Sequence, residues 1–79
     1  MKIKVKYFAS MREATGVSEE IIDTNALTPS QVFSFIKEKY NFSFEESHLK
    51  VALNEEYADF NSSLSELDTI VFIPPVAGG

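Results

Sequence analysis

The segment TPSQVFSFIKEKY, residues 28–40, constrains the fold more than any other, because it carries the strongest helix signal in the chain. Thr28 is placed as the N-cap, Pro29 suits the first helical position, and Gln31 completes a capping box. Val32, Phe35, Ile36 and Tyr40 are expected to share the buried face, with Phe33 at its margin. One amphipathic helix cannot close a core alone. Its apolar stripe needs a second layer, so the flanking residues must supply a sheet.

The flanks read as strands. KIKVKYF (2–8) alternates, with Ile3, Val5 and Tyr7 on one face and Lys2, Lys4 and Lys6 on the other, which leaves Phe8 on the lysine side. ASMREATG (9–16) reads as a short helix closed by Gly16, and EEIID (19–23) as a strand able to pair antiparallel with the first. NFSFEESH (41–48) reads as a loop with Phe42 and Phe44 tucked beneath it. LKVALN (49–54) is a strand, Glu55-Glu56 a tight turn, Tyr57–Asp59 a short strand, and SSLSELD (62–68) a turn or single helical turn. TIVFIP (69–74), apolar on both faces, is the expected central strand. If the first and last strands lie side by side and parallel, their connection contains the helix and can take the usual right-handed crossover. The expected fold class is α+β: a ubiquitin-like β-grasp of residues 1–73, its mixed sheet packed on one main helix, followed by an extended tail, 74–79.

Size and composition narrow the function. A domain of 79 residues buries only about 60–65% of its unfolded surface. A deep pocket holding a full catalytic constellation would consume that core, so a carrier, subunit or binding module is favoured over an enzyme acting alone. With no Cys there is no thiol nucleophile or thiolate metal site, and the single His48 cannot form a His cluster; no metal site is expected. Glu19-Glu20, Glu45-Glu46 and Glu55-Glu56 read as solvated faces, because adjacent residues on a strand point opposite ways. A net charge of −5 argues against nucleic acid and anionic membranes and points to basic protein surfaces as partners. No signal peptide and no apolar run near the roughly 20 residues of a membrane span is visible, so the expected location is the cytoplasm.

The end of the chain, FIPPVAGG (72–79), supplies the chemistry. Pro74 and Pro75 lack N–H donors, so they stop the strand as an interior ladder and hold the chain extended. Six residues, Pro74, Pro75, Val76, Ala77, Gly78 and Gly79, span up to roughly 20 Å, enough to enter a partner's pocket. The two glycines lack Cβ atoms and fit a narrow channel. The reactive group there is the α-carboxylate of Gly79, a poor electrophile until activated, for instance as an acyl-adenylate.

With FIPPVAGG, VKYFASMRE (5–13) and VALNEEY (51–57) in place, the chain resembles, over essentially its whole length, the sulfur-carrier family of MoaD and ThiS type. The paired prolines place the resemblance in its MoaD branch, the small subunits of molybdopterin synthase. One departure is Leu67 before Asp68, where relatives often carry Gly-Asp, which puts the geometry of the last turn at issue.

The resemblance implies that Gly79 is adenylated by a ubiquitin-activating-like, MoeB-like adenylyltransferase using ATP and Mg²⁺, then converted to a thiocarboxylate. It further implies that the tail enters a MoaE-like large subunit, in a two-plus-two heterotetramer, and donates sulfur to cyclic pyranopterin monophosphate. No cofactor would be bound by this chain, and catalytic side chains would belong to the partners. The family's contact surface maps onto Phe8, Tyr57 and Ile73, with Arg12 as a polar contact; the alternative is that these residues fill the small core. A thiamine-pathway carrier, a ubiquitin-like modifier forming isopeptide bonds, and a β-grasp binding module with an inert tail remain as alternatives.

Overall fold

Strict alternation makes Lys2–Tyr7 the first strand, β1, with Ile3, Val5 and Tyr7 buried. It is followed by a short helix α1 (Ala9–Thr15), strand β2 (Glu19–Asp23), the main helix α2 (Pro29–Tyr40), a single 3₁₀ turn at Glu46–His48, and strands β3 (Lys50–Leu53), β4 (Glu56–Ala58) and β5 (Thr69–Ile73). These elements come from a computed structural model, which describes residues 1–75.

The sheet order is β2-β1-β5-β3-β4. β1 and β5 lie side by side and parallel, with Val5 opposite Ile70 and Tyr7 opposite Phe72, while the other neighbours pair antiparallel. This is the ubiquitin-like β-grasp that the order of elements implied. α2 covers one face: Val32, Phe33 and Ile36 join Ile3, Val5, Ile70 and Phe72 in a single core.

Within α2 the two phenylalanines exchange the roles expected of them. Phe33 is buried, its ring 5.5 Å from that of Phe72 and 5.7 Å from that of Phe42, whereas Phe35 is exposed. The buried set is Pro29, Val32, Phe33 and Ile36, and at 3.6 residues per turn its centre lies roughly 120° from Phe35. A stripe drawn through Phe35 was rotated too far. The N-terminus differs by one residue as well. Thr28 Oγ1 accepts from the Gln31 N–H, but the Gln31 side chain reaches back to the N–H of Leu27 and not of Thr28.

Two turns carry backbone strain. The β3–β4 turn is Asn54-Glu55, one residue earlier than the sequence suggested, with φ of 51° and 74°. Two central residues at positive φ make the tight hairpin turn whose twist matches the strands. Asn54 also holds the turn against β5, accepting from the Thr69 N–H at 3.0 Å and donating to Asp68 at 3.0 Å. Leu67 adopts φ 65°, and its N–H donates to the Lys2 carbonyl at 2.7 Å. The last turn therefore keeps a left-handed residue although a leucine occupies it.

Candidate functional site

The helix covers one face of the sheet and leaves the other open. Register assigns the open face row by row: Glu19, Lys6, Val71, Ala52 and Tyr57 lie across one row. The next row toward the end of β5 holds Ile73 and Lys50. Phe8 continues the extended path of β1, with φ −125° and ψ 155°, so its side chain emerges on the same face as Lys6, level with Ile73. Phe8 is 51% exposed and Tyr57 78% exposed, both far beyond what burial in a core permits.

β5 is the central strand, as its two apolar faces implied, but only one of those faces is fully buried. Ile70 and Phe72 are buried under α2, whereas Val71 and Ile73 are half-buried on the open side. β5 ends at Ile73; Pro74 is half-buried and Pro75 exposed. Together with His48, Lys50, Tyr57 and Ile73, the prolines line a shallow depression of about 340 Å³. Arg12 is exposed on α1, which follows directly from the end of β1 beside the exit of the tail. Phe8, Tyr57 and Ile73 therefore share the open face toward the end of β5, and Arg12 is exposed on the helix that follows that end of β1. Val76, Ala77, Gly78 and Gly79 lie outside the described residues.

Behind this surface sits a polar anchor that the sequence did not reveal. The Glu20 carboxylate accepts hydrogen bonds from the hydroxyls of Tyr7 (2.7 Å) and Tyr40 (2.5 Å) and from Lys39 Nζ (2.8 Å). Read from sequence, Glu19-Glu20 was a solvated pair. In the structure the pair splits, with Glu19 bonded to Lys4 at 2.9 Å on the open face and Glu20 turned toward α2. Burial alone would raise the Glu20 carboxyl, but the hydrogen bonds from Lys39, Tyr40 and Tyr7 outweigh it and hold the group below the usual carboxylate range. Burial and the adjacent carboxylate push both tyrosine hydroxyls up. Their spacing in sequence gives no hint of the cluster, since 13 and 20 residues separate Glu20 from its two tyrosines. Tyr7 directly precedes Phe8 and pairs with Phe72, which precedes Ile73, so the anchor fixes the strand ends that present the exposed row.

The model of the ThiS family matches residues 5–79. The chain is 32% identical to the molybdopterin synthase sulfur carrier subunit of Escherichia coli, over 98% of this chain and 99% of that one. Among solved structures, SAMP1 from Haloferax volcanii superposes with a TM-score of 0.82 at 22% identity, each chain covered in full. A chain in the complex of subunits 1 and 2 of the molybdopterin-converting factor from Helicobacter pylori superposes with a TM-score of 0.71 at 26% identity, again with both chains fully covered.

Proposed function

The chain belongs to the ThiS family, and from that premise we propose that it is the sulfur-carrier subunit of a molybdopterin synthase, acting through the α-carboxylate of Gly79. The observation that carries this reading is the end-to-end match with the E. coli carrier subunit. The ending PPVAGG, following β5 directly, supports it chemically.

A carboxylate shares its negative charge over two oxygens and offers no leaving group. Transfer to the α-phosphate of ATP, with Mg²⁺ neutralising the phosphates and pyrophosphate departing, makes an acyl-adenylate on a MoeB-like activating enzyme. Hydrosulfide then attacks the acyl carbon and AMP leaves, so the terminus becomes a thiocarboxylate; a persulfide donor would in addition need a thiol reductant to cleave the acyl disulfide it forms. In the large subunit the thiocarboxylate sulfur bonds to a side-chain carbon of cyclic pyranopterin monophosphate as an oxygen substituent leaves that carbon. Water then cleaves the acyl–sulfur bond, leaving the sulfur on the pterin and restoring the carboxylate. Two deliveries complete the dithiolene of molybdopterin. The catalytic side chains reside in the large subunit, within a two-plus-two heterotetramer in the cytoplasm. This chain contributes the reactive terminus, a tail narrow enough to thread, and the open-face surface of Phe8, Ile73 and Tyr57 against which the partner docks.

A protein modifier would share the adenylation step and end in an isopeptide bond. The likeness to SAMP1 supports the common fold alone. Intact-mass analysis of protein made alongside its activating enzyme and a sulfur source separates the readings. Replacement of one oxygen by sulfur, localised to the last peptide, is the expected result. An unchanged mass, or covalent adducts on lysines of other proteins, refutes the carrier. Deleting Gly79 or appending residues after it should abolish the shift.

A further inference from the structure

The net charge of −5 suggests a basic partner, yet the open face is cationic. By register, Lys2, Lys4 and Lys6 of β1 and Lys50 of β3 all lie on it, together with Glu19 and Asp23 of the edge strand β2. Glu55 of the β3–β4 turn lines a depression there with Lys6, Thr69 and Val71, and Asp59 one with Lys50 and Tyr57 at the β4 edge. Glu19 is bonded to Lys4 at 2.9 Å, and Asp23 lies 3.6 Å from the N-terminal ammonium. Among the described residues no carboxylate forms an ion pair with Lys6 or Lys50. These two lysines flank the apolar row, Lys6 beside Val71 and Lys50 beside Ile73. The lysines of α2 are already matched, Lys37 to Glu45 at 3.4 Å and Lys39 to Glu20 at 2.8 Å. Most of the twelve acidic residues therefore lie off the open face, and those at it stand on the edge strand β2, on the β3–β4 turn and at the β4 edge.

We infer that the large-subunit surface seated on this face is acidic as well as apolar, with carboxylates facing Lys6 and Lys50, opposite in sign to what the net charge selects. The inference rests on the reading of this face as the docking surface. Such charges at the rim of an interface act on the encounter rate and its salt dependence more than on the final packing. The chain as a whole repels an acidic partner, so only an approach that presents the open face is favourable. The charge pattern thus orients the carrier with its tail exit toward the partner.

The test measures association of the full chain with the large subunit of the same synthase, at low and at high salt. The double variant Lys6→Glu/Lys50→Glu should slow association roughly ten-fold or more at low salt and remove most of the salt dependence. Lys37→Glu, a charge reversal on the helix side, should leave the rate within about two-fold. Lys6→Gln/Lys50→Gln should give an intermediate slowing, and it avoids placing like charges opposite Glu19. A double reversal that associates as fast as the parent overturns the inference. If Phe8→Ala still weakens binding in that case, the docking face stands and only its charge assignment fails. If Phe8→Ala also binds as the parent does, the docking reading itself is wrong and the inference falls with it.

Discussion

Replacing Glu20 with Ala should cost this domain about 2–4 kcal/mol, a large share of the roughly 4–12 kcal/mol that a chain of this length possesses. The magnitude follows from what each partner loses. Tyr7 is 1% exposed, so its hydroxyl is left without an acceptor and without access to water, a penalty of about 1–3 kcal/mol. Tyr40 is half-buried and recovers part of its bond from solvent, and Lys39 is exposed and loses little. At about 4–8 °C per kcal/mol, the melting temperature should fall by roughly 10–25 °C. Glu20→Gln, which keeps one acceptor oxygen, should lose about half as much.

Chemical denaturation followed across pH gives the sharper assay. The folded Glu20 carboxyl lies below its ordinary value of 4.5, so its contribution is complete above that pH and disappears as pH falls through the lower folded value. Tyr7 and Tyr40 are raised above 10.0, so theirs is complete below that pH and is lost as pH rises. Parent protein should therefore show a plateau between about pH 5 and pH 10, with both limbs shallower in Glu20→Ala. A variant within about 0.5 kcal/mol of the parent, with its acid limb unchanged, would refute the cluster as an anchor.

Other substitutions probe the fold and the docking face separately. Phe33→Ala should destabilise by about 3–5 kcal/mol and Phe35→Ala by less than about 0.5 kcal/mol, as read by denaturant midpoints; equal losses would contradict the assignment of the buried face. Glu55→Gly, which turns the strained Asn54-Glu55 pair into Asn-Gly, should stabilise by about 0.5–1 kcal/mol in the same assay. Phe8→Ala should weaken binding to the large subunit by more than about 1 kcal/mol in titration calorimetry and shift stability by less than about 0.5 kcal/mol; the reverse ranking would return Phe8 to a structural role.

Local chemistry carried most of the architecture. The alternation of β1, the Thr28-Pro29 start of α2 and the apolar run of β5 each specify an element from a few neighbouring residues. The order of those elements leaves few ways to cover one helix, and the β-grasp with parallel β1 and β5 is among them. The candidate site was legible wherever parity along a strand sufficed. Phe8 falls on the lysine side of β1 because side chains alternate, and the structure leaves it half-exposed on the face opposite α2.

Read alone, then, the sequence determined the helix, the strands, and the paired prolines that stop the last strand, since periodicity, caps and missing N–H donors act over a few residues. The tertiary structure decided what depends on neighbours distant along the chain. Phe33 and not Phe35 meets Phe72, Glu20 gathers two tyrosines and a lysine from β1 and α2, and lysines of β1 and β3 combine into a cationic face on an acidic protein. Burial, hydrogen bonding and surface potential are properties of groups brought together in space, and only strand register and the rotation of α2 bring these groups together.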